Sequence, residues 1–365
     1  NLLSEILSIP SFSDLESNFR NIDPQNLYKI SEDLYNKFAH KLKIDLNDKL
    51  KYIETIRREM NRTFTYHKNI NTYFRNSLIA EIKFFKMKLG VHSATFVEDW
   101  SEDIRPYIKK CHEAGYKSVE VSLLGQDKMK AREIGHLANE LNVEITCTTG
   151  LSVNEDITSF DNKIRLNGEK KLLEAIELTS LMNSSMLSGV VHCAWGISKE
   201  KGASKDIKFE NSANSLTKIT NALEVNNIKL GIEPLNRYET DFINTVDEGL
   251  HLCSLINHSN VGLLLDVYHM NIEEKNISSS IKRAKNKLFH FHVAENDRGI
   301  PGSGTLDFDS IFETLKEINY SGNVTLEMFI QANKQTSKDL FTWRDIEVDP
   351  YKAIKDSHLF LSKYY

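Results

Sequence analysis

The stretch Gly231-Ile-Glu-Pro-Leu-Asn-Arg-Tyr-Glu239 constrains this chain most. It places Glu233 directly after the apolar run Ile228-Lys-Leu-Gly-Ile232. A short apolar run bounded by Gly and Pro reads as a buried strand. A strand that ends in an acid, then a Pro and a polar loop, delivers that side chain to the active face of a parallel barrel. The pattern recurs downstream. Val261-Gly-Leu-Leu-Leu-Asp266, Leu288-Phe-His-Phe-His292 and Asn323-Val-Thr-Leu-Glu327 end in Asp266, His292 and Glu327. Successive end residues are 33, 26 and 35 positions apart. A (β/α)8 barrel of about 250 residues allots roughly 30 to each βα unit. Four side chains at successive strand ends then converge on one point. Three carboxylates and an imidazole suit a hard or borderline divalent ion such as Mn²⁺, Co²⁺ or Mg²⁺.

The rest of the chain fits this frame. It has 365 residues, 40% of them hydrophobic, enough for one large barrel and a smaller appendage. Residues 1–86 differ from the remainder. They hold no Gly, Cys or Trp, and they carry 14 Lys/Arg against 11 Asp/Glu, where the remainder carries 32 against 40. Leu27 to Phe38 and Leu50 to Met60 show apolar residues at helical spacing, with Asp48 capping the second. The expected organisation is an all-helical N-terminal extension of unknown role over 1–86 and a TIM-barrel catalytic domain over 87–365. Met87-Lys-Leu-Gly-Val is a natural start for such a barrel, so the alternative is that the first 86 residues are a fusion or an upstream extension.

From Met87 onward strands and helices alternate. The first strand and its loop are expected over Met87–Phe96, and the next three strands over Ser118–Leu123, Val143–Thr148 and Met186–Cys193. Helices are expected over Ser101–Ala114 with Ser101 as cap, Lys128–Leu141, Gly168–Met182, and to Val225 after a loop Ala194–Lys208. Further helices are expected near Val246–Ile256, Ser278–Asn286, Phe308–Ile318 and Tyr351–Tyr364. Such crossovers force parallel pairing.

Residues 87–365 resemble the ketose 3-epimerases, the D-tagatose and D-psicose (allulose) 3-epimerase group of the sugar isomerase/epimerase TIM-barrel superfamily. The resemblance rests on Glu233-Pro-Leu-Asn-Arg-Tyr-Glu239, Leu265-Asp-Val-Tyr-His-Met-Asn-Ile-Glu-Glu274, His290-Phe-His-Val-Ala-Glu-Asn-Asp-Arg298, Pro301-Gly-Ser-Gly304, Glu327-Met-Phe329 and Trp343-Arg-Asp345. Order and gaps agree along the barrel; residues 1–86 have no counterpart. The resemblance implies that Glu233, Asp266, His292 and Glu327 bind a metal, with Mn²⁺ or Co²⁺ favoured, and that Glu233 and Glu327 also move protons. It implies that Glu239, His269 and Arg298 hold the sugar's carbonyl-end hydroxyls. Trp195 and Phe329 match an apolar wall, and Trp100 a residue near the substrate's far end. The chain departs from the family at His92, where Phe or Tyr is usual, at Ala294 for Gly, at Asp297 for Asn, and at Gly196 and Met328 for Pro; the strand-end position of His92 makes it an expected substrate contact all the same. These departures bear on substrate preference more than on reaction type.

The implied reaction inverts the C3 carbinol of a free ketose. Removing a proton from one face and restoring one on the other needs two bases on opposite faces, and a Lewis acid to stabilise the enediolate. Alternative activities within the superfamily are aldose–ketose isomerisation, hydroxypyruvate isomerase-like chemistry and inosose dehydration. A more distant one is apurinic-site DNA repair, which the net charge of −5 and the single four-residue ligand set oppose. The expected partner is a small ketose, with no nucleic acid and no membrane, and the resemblance suggests a homodimer or tetramer. Four Cys without a CxxC pair, and no secretory leader, suggest reduced thiols in the cytoplasm.

Other candidates receive structural readings. His290 shares a strand face with His292 and is expected to be a core or supporting residue. Cys147 and Cys193 are expected to pack or line the pocket. Glu273-Glu274 reads as a solvated helix start. Gly302-Ser-Gly304 reads as a loop that shapes the site.

Overall fold

The computed structural model describes residues 87–197 and 204–364. The expected helical extension over 1–86 lies outside the described residues. Eight strands form a closed barrel in sequence order, every neighbouring pair parallel. They are β1 (Lys88–His92), β2 (Ser118–Ser122), β3 (Glu144–Leu151), β4 (Met186–Ala194), β5 (Lys229–Ile232), β6 (Val261–Asp266), β7 (Leu288–Val293) and β8 (Asn323–Leu326). Closure comes from β1 against β8, where Val91 sits opposite Leu326. This is a (β/α)8 TIM barrel.

The helices between strands are α1 (Arg105–Glu113), α2 (Lys128–Leu141), α3 (Asn162–Leu181), α4 (Lys205–Val225), α5 (Val246–Ile256), α6 (Val267–Glu273), α7 (Ile277–Ala284) and α8 (Phe308–Glu317). After β8 come α9 (Gln335–Asp339) and α10 (Pro350–Leu361). Each long helix sends a branched aliphatic onto the barrel wall. Ile108, Ile134, Leu172, Leu216, Leu252, Ile281, Leu315 and Ile354 are all buried there. Burying such a side chain contributes about 1.5–3 kcal/mol before entropic costs. Inside the barrel, alternation turns the other face of each strand inward. That inner face is polar at mid-height, where Glu120, Thr146, His290 and Thr325 meet.

Several boundaries differ from the sequence expectation. Helix α1 begins at Arg105, with Pro106 in its first turn, while Ser101 bonds Asp99 in the preceding loop. A Pro preset for the first turn wins over an exposed Ser. Helix α3 starts at Asn162, well before Gly168, because Asp161 accepts from Lys163 N and caps it. Helix α5 begins as expected and carries a reciprocal capping box between Thr245 and Glu248. An unexpected short helix, α6, follows β6 at once. It places Glu273 at its end rather than at a helix start. Glu273 pairs with Arg237, and Glu274 accepts from Val246 N and Ser280 Oγ. The expectation of a solvated helix start there is therefore wrong.

One glycine has a positional role. Gly189 in β4 has φ +106, and a Cβ there would lie 2.5 Å from the Thr149 carbonyl. Its own carbonyl accepts from Glu233 N, which locks the end of β5 against β4. Only glycine tolerates that backbone at that approach.

Candidate active site

Chain direction puts the C-terminal ends of all eight strands at one rim of the barrel. Four of them deliver the acids and the imidazole. Glu233 follows β5, Asp266 ends β6, His292 lies near the end of β7, and Glu327 follows β8. All four are buried, and one donor atom from each lies within 4.8 Å of the others. His292 Nδ1 is 3.6 Å from Glu327 Oε1 and 3.9 Å from Glu233 Oε1. Asp266 uses Oδ1 to cap α6 through Tyr268 N at 2.8 Å, which leaves Oδ2 facing the centre.

Two buried polar atoms in this set, Asp266 Oδ2 and His292 Nδ1, have no hydrogen-bond partner among the described residues. Unsatisfied buried groups cost about 1–3 kcal/mol each. They are tolerated where a ligand completes them. Oxygen and neutral imidazole donors at this spacing match what a divalent ion takes. The residues fit a metal.

His292 presents Nδ1 because its other nitrogen is engaged. Nε2 lies 2.7 Å from Glu120 Oε1, and His290 Nε2 bonds the second oxygen of the same carboxylate. Thr146 Oγ1 donates to that second oxygen at 2.6 Å. Sequence reasoning missed Glu120. It sits mid-strand in Ser118-Val-Glu-Val-Ser122 rather than at a strand end. The sequence shows only that Glu120 alternates with Ser118 and Ser122 on one strand face, which does not tell the inner face from the outer.

The remaining candidates surround a cavity of about 520 Å³ above this set. His92, Trp100, Trp195, Glu233, Glu239, His269, Arg298, Glu327 and Phe329 all line it. Arg298 holds a left-handed backbone with φ +64, uncommon for a residue with a Cβ. The twist brings its guanidinium 3.5 Å from Glu239, 3.4 Å from Glu327 and 3.3 Å from His269 Nε2. The guanidinium packs over the Tyr268 and Phe329 rings, 4.4 and 4.8 Å from their centroids. His269 Nδ1 accepts from Asn236 N at 3.2 Å. In the neutral ring this leaves Nε2–H as a donor toward the cavity. The Trp195 ring stacks on Phe341 at 5.7 Å. The Trp100 indole donates to Asp339 at 2.9 Å.

The two carboxylates nearest the cavity titrate in opposite directions. Burial, with Glu327 beside it, holds the Glu233 carboxyl well above the ordinary range. Burial also pushes Glu327 up, but His292 and Arg298 outweigh it and hold that group low. Paired carboxyls whose pKa values are driven apart are the usual arrangement of an acid and a base. Glu239 is held low because Arg298, His269 and Asn236 outweigh its burial.

Cys147 and Cys193 are not among the cavity residues. Burial pushes both thiols up to about 12, so they pack as small apolar groups. The Gly302–Gly304 loop is tied down by Glu295, which accepts from Gly302 N at 2.8 Å and from Leu306 N at 2.9 Å.

Residues 108–346 match the family model described as xylose isomerase-like TIM barrel. The chain is 33% identical to an L-ribulose 3-epimerase of Methylomonas sp. (strain DH-1), over 72% of this chain and 92% of that protein. It is 29% identical to a D-psicose 3-epimerase of Ruminiclostridium cellulolyticum, over 71% of this chain and 90% of that one. A crystal structure of a Methylomonas D-allulose 3-epimerase in complex with D-allulose superposes with a TM-score of 0.71 at 30% identity, covering 76% of this chain and 97% of that one. By the fold, the family match and these relatives, the chain belongs to the xylose isomerase-like TIM barrels, in their ketose 3-epimerase group, and is an isomerase that acts on ketose sugars.

Proposed function

We propose that this enzyme inverts C3 of free ketoses of the D-psicose, D-tagatose and D-fructose type. Glu233 and Glu327 are its two acid/base groups, and Glu233, Asp266, His292 and Glu327 hold a divalent ion, Mn²⁺ or Co²⁺ in preference to Mg²⁺. What supports this reading is geometric: the Glu233 and Glu327 carboxylates, which follow β5 and β8, both line the cavity and stand in one buried cluster with Asp266 and His292. A divalent ion in that site supplies Lewis-acid polarisation of a ketone and its neighbouring hydroxyl.

The chain's own residues do the rest. One glutamate takes the C3 proton from one face of the sugar, and the other returns a proton to the opposite face. The C3 configuration of the substrate decides which acts first. Arg298 and the His269 Nε2–H stabilise the oxygen that gains charge in the enediolate. Glu239, pinned by Asn236 and Arg298, accepts from a carbonyl-end hydroxyl. Phe329 and Trp195 shield the reacting carbon from water. On the outer wall Glu155 and Asp339 outnumber the ammonium of Lys171, which favours an uncharged sugar over a phosphorylated one.

The cytoplasm is part of this proposal, since the four cysteines are free thiols. Assembly into dimers or tetramers is too, since Tyr238, Phe341 and Trp343 expose large rings that an oligomer would cover. No helix among the described residues is long and apolar enough to cross a membrane. The test is turnover of D-psicose, D-fructose and D-tagatose, read by product chromatography with Mn²⁺ or Co²⁺ and again after chelation. Metal-dependent C3 epimers are expected. An aldose product would replace epimerisation with isomerisation.

A further inference from the structure

The four strand-end groups that converge on one point occupy the β5–β8 arc of the rim. The opposite arc, β1 to β3, has its own polar constellation, which the proposed reaction does not use. His92 ends β1 and Thr148 lies near the end of β3; both are buried and both line the cavity. Their hydrogen bonds run in one direction. The Ala94 backbone N–H donates to His92 Nδ1 at 3.1 Å. A ring nitrogen that accepts carries no hydrogen, so the proton of the neutral ring sits on Nε2. His92 Nε2 lies 2.9 Å from Thr148 Oγ1, so the ring donates and the threonine oxygen accepts. The threonine's own hydrogen is thereby turned away from His92. No acceptor for it is found among the described residues, and the space beside it is the cavity.

We propose that His92 and Thr148 form a second polar subsite that receives the sugar hydroxyls farthest from the ketone, so that the enzyme selects ketoses oxygenated at their distal carbons over their deoxy analogues. This inference rests on the reading of the site as a ketose epimerase. With its ketone end over β5–β8, a sugar chain extends across the barrel mouth toward β1–β3. A distal oxygen there meets a directed O–H. A distal CH₂ or CH₃ leaves that O–H buried and unpaired. A site built to hydrogen-bond a hydroxyl rejects the analogue that lacks it. An aromatic ring in place of His92 would give Thr148 no such orientation.

The test compares kcat/KM for D-psicose with 5-deoxy- and 6-deoxy-D-psicose. The wild type is expected to favour the parent over at least one deoxy sugar by roughly tenfold, the worth of one directed hydrogen bond in a closed pocket. Thr148→Val should shrink that ratio to within about twofold, and Thr148→Ser should keep it. His92→Phe should lower it partway, and its effect should fall on KM more than on kcat. A ratio unchanged in both Thr148→Val and His92→Phe would overturn the proposal. If the wild type turns over no ketose with metal present, the epimerase reading fails. The subsite is then judged by calorimetric binding of the same sugars to the wild type and Thr148→Val. Equal discrimination by both proteins would overturn it.

Discussion

His292 Nε2 lies 2.7 Å from Glu120 Oε1, deep inside the barrel, and this contact sets which imidazole nitrogen faces the site. A carboxylate that takes Nε2–H leaves Nδ1 as the nitrogen that faces the site, 3.6 Å from Glu327, and Nδ1 offers its lone pair once the ring is neutral. Carboxylate–histidine pairs of this kind orient metal ligands, and their loss costs about 10–100-fold in metal affinity. Glu120→Gln should therefore weaken Mn²⁺ binding by that range, read by calorimetry, with the circular dichroism spectrum unchanged. Unaltered affinity would mean that Glu120 only fills the core.

Metal binding should release protons. Burial, chiefly, raises the Glu233 and Asp266 carboxyls. Glu120 and Glu327 raise His292 well above its usual value against the effect of burial. Groups with raised pKa values hold protons in the metal-free site and must give them up to coordinate. Affinity should thus rise with pH, by up to about tenfold per unit for each proton displaced. Titrations in buffers of different ionisation enthalpy measure the number. A value of zero would contradict this account of the site.

His192 predicts an acid-labile fold. Its ring is buried, and neither nitrogen has a partner among the described residues. Burial pushes its pKa from 6.5 down to about 3. Below pH 6.5 the unfolded chain takes a proton that the folded chain refuses. The contribution is complete above that pH and is lost progressively as the pH falls toward the folded value. Between pH 7.5 and 5.5 the wild type should lose about 1.4 kcal/mol more than His192→Leu in urea unfolding. Equal losses would show that another group controls acid stability.

The catalytic unit is proposed to be 87–365. A chain beginning at Met87 should fold cooperatively and keep kcat within about twofold of the full chain, since the strands, the caps and the candidate site described above all lie within it. An insoluble or inactive product would make residues 1–86 part of the folded unit.

What could be read from the sequence follows from where the residues sit. Glu233, Asp266, His292 and Glu327 end strands or directly follow them, so the hydrophobic run announces the strand and the break announces the rim. The structure brings these four together, and it sets Arg298, His269 and Glu239 beside them. Glu120 was illegible because an acid between two valines reads as an outward polar residue unless the barrel's inner face is known to be polar at that height. The start of α1 was misplaced because Ser101 mimics a cap, while Pro106 decides the first turn. The Glu273-Glu274 reading failed because a helix already starts at Val267, capped by Asp266, so that Glu273 falls at its end. The His92–Thr148 bond joins residues 56 apart and appears only once β1 and β3 share a rim.

The central claim is that two glutamates exchange the C3 proton from opposite faces. It is tested by running D-fructose with the metal-loaded enzyme in D₂O and reading deuterium by NMR. The wild type should deliver deuterium to C3 of both epimers and to no other carbon. Glu233→Gln and Glu327→Gln should each abolish epimer formation while C3 exchange persists through the remaining glutamate. Deuterium at C1, or epimer formed at the wild-type rate by either variant, would contradict the account.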